Sequence, residues 1–238
     1  MRMSTGTKGS ETVIVLMRHG QTEHNHKGIF QGRMDAKLDN TGIAQAEGAA
    51  KALSAGMFGR QFDSIYTSPL SRACQTADIV AEALGTEAVR MPWLMEIDCG
   101  LVSGLSVDEA RIRFPLEMDR FSEGWWTRKY PEGQSHADYE SENVLPALRR
   151  LAAAHIGKTV LAVTHGGFIR TAVLNCLGLI DERPFLNQRL DNCGFSTIEV
   201  PKAEGDAPFK GRLLEFNLLL SAPELCTEDV YTKEAELR

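Results

Sequence analysis

The run Val13-Ile14-Val15-Leu16-Met17 is apolar at every position, rich in β-branched residues, and ends abruptly in Arg18-His19-Gly20. A short segment of this kind has no polar face to turn toward water, so it belongs inside a sheet covered on both sides. Later segments repeat the construction. Phe62 to Tyr66 leads into Thr67-Ser68-Pro69-Leu70-Ser71-Arg72, and Val160-Leu161-Ala162-Val163 leads into Thr164-His165-Gly166-Gly167, each followed by a helical pattern. Alternating strands and helices predict an open α/β fold, in which ligands bind beyond the C-terminal strand ends. The side chains delivered there are Arg18 and His19, Arg72, and His165.

The remaining elements follow from caps and spacing. Asn40-Thr41 offers an N-cap for an Ala-rich helix over residues 42–53, closed near Gly56. Pro69 suits an early turn of the helix carrying Arg72, whose Ala73, Thr76, Ala77, Val80 and Leu84 recur at helical spacing until Gly85. Residues 87–91 read as a short strand leading to the loop of Glu96. Residues 106–154 read as a predominantly helical insertion broken at Pro115, Gly124 and Pro131, expected to cap the open end of the sheet and shape the pocket. Its Trp125-Trp126 pair suits core packing and a substrate lid equally. A helix from Gly167 to about Leu177 and closing strands over 195–200 and 212–217 complete a domain expected to span 11–222. Residues 1–10 read as a disordered N-terminal segment and 223–238 as an acidic, solvated tail.

At 238 residues the chain suits one large domain. No uninterrupted apolar stretch reaches the ~18 residues of a membrane span, since His165 and Arg170 break the longest run. Residues 1–10 lack the apolar core of a secretory signal, so a cytoplasmic protein without membrane partners is the expectation. The net charge of −6 disfavours nucleic acid. Five cysteines without C-x-x-C spacing suggest neither disulfide framework nor zinc ribbon, and His24 and His26 have no third ligand motif nearby, so no metal or other cofactor is expected. A local cluster of Arg18, Arg72 and two histidines is nevertheless compatible with a small phosphorylated substrate. Neutral imidazole is a nucleophile near pH 7 and guanidinium grips phosphoryl oxygens, which together suggest phosphoryl transfer through histidine.

Taken in order, Leu16-Met17-Arg18-His19-Gly20-Gln21-Thr22-Glu23 with Asn25, Phe30-Gln31-Gly32 with Asp35 and Leu38, Thr67 to Ala77, Glu96 followed by Gly100 and Gly104, and Val163-Thr164-His165-Gly166-Gly167 resemble the motifs of the histidine phosphatase superfamily, in its phosphoglycerate mutase-like branch. The likeness covers about residues 13–200. It implies a three-layer α/β/α fold with a mixed, mainly parallel central sheet. By the same resemblance His19 is the residue phosphorylated and Glu96 the proton donor. Arg18, Arg72 and a protonated or donating His165 surround the phosphoryl group, and Asn25, Gln31, Gly32 and Gly166 line the substrate. His19 must then attack as a neutral ring whose other N–H is held by an acceptor, expected to be backbone. Glu96 must protonate the departing alkoxide and then activate water on the phosphohistidine. No metal is required by this chemistry, and a homodimer is compatible with it.

Departures from the family pattern separate hydrolysis from mutase activity. Mutases carry an Arg and a Tyr closely after the acid, whereas this chain reads Glu96-Ile97-Asp98-Cys99-Gly100. Asp98 is expected to repel a second anionic group, and Gln31-Gly32 resembles phosphatase members more closely. The expectation is therefore a metal-independent phosphomonoester hydrolase. A mutase-type phosphotransferase and a non-catalytic phospho-ligand binder are the alternatives. Leu101-Val102-Ser103 between the acid-loop glycines, and Gln134 where relatives carry Glu, point to an unusual substrate pocket.

Overall fold

The computed structural model describes residues 11–119, 123–179, 188–201 and 209–220; the expected N-terminal segment and acidic tail lie outside them. A six-stranded sheet forms the centre, in the order β3-β2-β4-β1-β5-β6. Its strands are β1 (Glu11–Arg18), β2 (Ser64–Thr67), β3 (Ala88–Arg90), β4 (Thr159–Thr164), β5 (Phe195–Pro201) and β6 (Arg212–Leu218). β1, β2, β3 and β4 pair in parallel, while β5 runs antiparallel to β1 and β6 antiparallel to β5. The mixed, mainly parallel sheet is thus present.

Both faces of β1 are covered, as its composition requires. Val15 and Met17 pack with Ile65, Leu161 and Val163 beneath α2 (Asn40–Ser54) and α3 (Ser71–Ala83). Ile14 and Leu16 pack with Val160 and Ala162 beneath α6 (Leu145–Ala154) and α7 (Gly166–Leu177), through Leu148, Leu151, Phe168 and Ile169. These two helical layers make the α/β/α sandwich. Among the described residues no helix is long and apolar enough to cross a membrane.

Two helix starts differ from the sequence expectation. α2 is capped by Asp39, whose carboxylate accepts the N–H of Gly42 at 2.8 Å, so Asn40 and Thr41 lie inside the helix. α3 begins after Leu70, which has no capping side chain, and Pro69 stands outside it. The carboxylate of Asp35 reaches across instead, accepting the N–H of Ser71 at 2.7 Å and its hydroxyl at 2.6 Å. A cap supplied 36 residues away has no local sequence signature.

The insertion is less helical than expected. Among the described residues, α4 (Val107–Arg113) is followed by turns and irregular backbone over 114–119 and 123–134, and helix resumes with α5 (His136–Tyr139), a π turn (Glu140–Val144) and α6. Pro146 in the first turn of α6 explains the π turn: proline offers no N–H and crowds the preceding carbonyls, and the wider turn accommodates it without breaking the helix. Trp125 and Trp126 are buried against Leu174 of α7, with His136 stacked on Trp126 at a ring separation of 5.2 Å. The pair is core.

Candidate active site

The sheet register brings the site together. β1 and β4 are neighbours with Arg18 opposite Thr164, so the next residues, His19 and His165, emerge side by side with ring centroids 5.2 Å apart. β2 flanks β4 with Thr67 opposite Val163, which sets Ser68 level with Thr164 and its hydroxyl 2.7 Å from the His165 ring. α3 starts directly beyond that strand end and places Arg72 in its first turn.

The Arg72 side chain is the centre of the cluster. Its Nε lies 3.2 Å from Nε2 of His19 and 3.2 Å from Nδ1 of His165. Its terminal nitrogens donate to the carbonyls of Met34 and Gly32, both at 2.8 Å, so the guanidinium is clamped by the loop it organises. Burial pushes its pKa down to about 10, opposed by Glu96 and Asp35, and it stays cationic at neutral pH. Gly32 makes that clamp with φ of +49°, a conformation that favours glycine.

His19 is held as a nucleophile would be. Its Nδ1 lies 2.7 Å from the carbonyl of Gly20, the backbone acceptor expected, which fixes the proton on Nδ1 and leaves a lone pair on Nε2. Burial, then Arg72 and Arg18, keeps its pKa well below the ordinary value, so the ring is neutral at pH 7. Asn192 donates to the carbonyl of His19 at 2.8 Å, Thr76 of α3 accepts the N–H of Gly20 at 3.0 Å, and Arg18 donates to the carbonyl of Leu190. Sequence reasoning missed Asn192 because it acts from the turn before β5, remote in the chain from the strand it braces.

His165 is also buried and lowered well below its ordinary value by burial, Arg72, His19 and Arg18. The imidazolium form is therefore disfavoured, and the ring is neutral at pH 7. Glu96 stands at the rim, one oxygen accepting the N–H of Ile97 at 2.9 Å and the other that of Gly167 at 3.0 Å, in the first turn of α7.

A cleft joins these groups, lined by Arg18, His19, Arg72, Glu96 and Gly166 together with Asn25, Gln31 and Gly32, as well as Ile29, Phe30, Ile97 and Cys99. All nine site residues expected from the sequence border it except His165, which reaches it through Arg72. The Thr22 hydroxyl lies 3.0 Å from Oδ1 of Asn25 and from Oε1 of Gln31 and can give its one hydrogen to either, while Oδ1 of Asn25 also accepts the N–H of Thr22 at 3.1 Å. The Asn25 amide therefore has its nitrogen end to offer a ligand.

Two expectations are corrected. Asp98 does not line the cleft: one oxygen accepts the N–H of Gly100 at 3.0 Å and the other lies 3.7 Å from Arg33, so its charge is met locally and does not guard the pocket. Nor, among the described residues, do any of 106–154 line it; they act from behind. Oε1 of Gln134 accepts from Arg33 at 3.1 Å and from the N–H of Asp98 at 3.2 Å, while Tyr139 donates to the carbonyl of Met95 at 2.8 Å, which ties the insertion to the Glu96 loop.

A neutral imidazole bordering the cleft, its Nε2 lone pair met by Arg72, set among buried guanidinium groups and a helix N-terminus, is a site for a tetrahedral anion under attack. The chain belongs to the histidine phosphatase superfamily (branch 1), whose family model matches residues 14–207. It is 36% identical over 186 residues to a 2,3-bisphosphoglycerate-dependent phosphoglycerate mutase of Methylobacterium sp. (strain 4-46), covering 72% of this chain and 84% of the relative. Among solved structures it resembles a phosphoserine phosphatase of Entamoeba histolytica in complex with 3-phosphoglyceric acid (TM-score 0.71, 29% identity, covering 90% of this chain and 99% of the other). It also resembles a mycobacterial glucosyl-3-phosphoglycerate phosphatase (TM-score 0.71, 25% identity, covering 87% and 99%).

Proposed function

We propose that this protein is a metal-independent phosphomonoesterase that hydrolyses a small phosphorylated metabolite through a phosphohistidine at His19, a role consistent with a cytoplasmic location. The observation carrying this reading is the position of Arg72 Nε, 3.2 Å from both His19 Nε2 and His165 Nδ1, where a phosphoryl oxygen would meet all three. Nε2 of His19 attacks phosphorus in line, the P–O bond to the alcohol breaks, and Glu96 gives the departing oxygen its proton. Arg18, Arg72 and His165 carry the charge on the non-bridging oxygens. Glu96 then takes a proton from water, which attacks the phosphohistidine and releases inorganic phosphate and the free ring.

Hydrolysis is favoured over mutase chemistry by the residues after the acid. Ile97 is the residue after Glu96 that lines the cleft, and the Arg and Tyr that mutases carry closely after the acid are absent from Glu96-Ile97-Asp98-Cys99-Gly100. The mutase names among relatives at 36% identity favour the second reading, a phosphotransferase that keeps the phosphoryl group. One experiment separates them. Purified protein with a chelator is given a panel of phosphorylated metabolites, then 3-phosphoglycerate with a bisphosphoglycerate primer. Released phosphate and acid-labile, base-stable label on wild type but not on His19→Ala support the phosphatase reading. Efficient isomerisation with little free phosphate overturns it.

A further inference from the structure

Ser68 is wholly buried at the end of β2, and its Oγ lies 2.7 Å from Nε2 of His165. That oxygen already accepts the N–H of Leu70 at 3.3 Å, and among the described residues the hydroxyl hydrogen has one acceptor within reach, Nε2 itself. A ring that accepts at Nε2 carries its proton on Nδ1. This proton then faces Nε–H of Arg72, 3.2 Å away, two donors directed at one point. The opposite tautomer would accept from Arg72 but strand the hydroxyl hydrogen of Ser68 in the interior, where an unmet donor is costly.

We propose that Ser68 is a positioning residue that holds His165 as the Nδ1–H tautomer, so that His165 and Arg72 together present two donors which a phosphoryl oxygen satisfies. The inference rests on the phosphoryl-transfer reading of the site. A buried neutral ring can donate from one nitrogen only, and Ser68 decides which. Arg72 Nε–H has Nε2 of His19 as its alternative acceptor at 3.2 Å. A bound phosphoryl oxygen becomes the acceptor of that N–H in place of Nε2, and the His19 lone pair is freed for attack. Selecting the donor in advance means that no tautomer change is required during the reaction.

The test is a multiple-bond proton–nitrogen correlation spectrum of the full chain labelled with ¹⁵N-histidine, titrated with inorganic phosphate, the His165 signals being assigned by their absence from His165→Asn. Wild type with phosphate is expected to show His165 as the Nδ1–H tautomer. Ser68→Ala should move it toward Nε2–H and weaken phosphate inhibition about tenfold, the scale of one hydrogen bond. Ser68→Thr, which keeps the hydroxyl, should restore the wild-type signature. An Nε2–H or doubly protonated His165 in phosphate-bound wild type overturns the inference, as does a folded Ser68→Ala with unchanged tautomer and inhibition. If Ser68→Ala does not fold, the wild-type spectrum decides. Failure of phosphate to perturb either His19 or His165 overturns the site reading itself, and the inference with it.

Discussion

The carboxylate of Glu96 accepts the N–H of Gly167 at 3.0 Å, and no side chain fits between them: a Cβ on Gly167 would stand 2.3 Å from the other Glu96 oxygen. The glycine that follows the His165-Gly166 pair is thus a seat for the proposed proton donor. Gly167→Ala should push Glu96 off the rim and slow hydrolysis of alkyl phosphates about 10²-fold, the lower end of what a positioned acid contributes. Nitrophenyl phosphate, whose leaving group needs little protonation, should show a single-turnover burst close to wild type. An equal loss on both substrates would mean that the alanine disturbs the phosphoryl pocket and not the acid.

Arg72 joins the two imidazoles to the loop carrying Gly32 and Met34, so its removal should be felt twice. Arg72→Ala is expected to weaken inhibition by phosphate or vanadate by about 10- to 150-fold, from roughly 1.5–3 kcal/mol for a lost hydrogen bond to a charged group. It should also lower the melting temperature, because the carbonyls of Gly32 and Met34 lose their donor. Lysine should recover part of the inhibition and little of the stability, since one ammonium cannot reach the imidazoles and both carbonyls. Unchanged inhibition constants in Arg72→Ala would place this residue outside the site.

The buried imidazoles give stability a defined pH dependence. His19 and His165 both titrate well below their ordinary value in the folded chain, chiefly through burial and secondly through Arg72. The unfolded chain takes up protons near pH 6.5 and the folded one does not. Their contribution is therefore complete above about pH 6.5 and is lost as pH falls toward the depressed folded values, at about 1.4 kcal/mol per histidine per pH unit. Urea denaturation at pH 7.5 and 5.5 should show a smaller pH-dependent loss for a His19→Asn, His165→Asn double variant than for wild type. Equal losses would show that these rings protonate freely in the fold. His155, also lowered by burial, is common to both proteins and cancels.

What the sequence made legible is what strands and register dictate. The apolar run of β1 required a two-sided sheet, and the strand ends at His19, Ser68 and His165 meet because β1, β4 and β2 are neighbours in register. What it hid acts across the chain. Asp35 caps a helix far from its own loop, Asn192 holds the carbonyl of His19 from the turn before β5, and Arg33 meets Asp98. The charge of Asp98 misled for the same reason: a side chain's sign is readable from sequence, but its partner is set by tertiary packing. The Trp pair was ambiguous because large aromatics serve cores and lids alike, and only the proximity of Leu174 and His136 decides.

Gln134 shows how one departure from the family pattern fits its surroundings. Its oxygen serves Arg33 and Asp98, while its amide nitrogen donates to Glu142 and to Asn143, both at 3.1 Å. A glutamate could keep the first pair of contacts but would set a second carboxylate against Glu142 and leave Asn143 Oδ1 without this donor. Gln134→Glu should therefore destabilise the protein by about 1 kcal/mol, near 2–4 °C in melting temperature for a chain of this size. Adding Glu142→Gln should recover much of that loss, since the new glutamine can donate to the carboxylate at 134. A double-mutant cycle by thermal denaturation checks this. Additive effects in the cycle would mean that the two side chains do not interact, and that Gln134 holds the Glu96 loop through Arg33 and Asp98 alone.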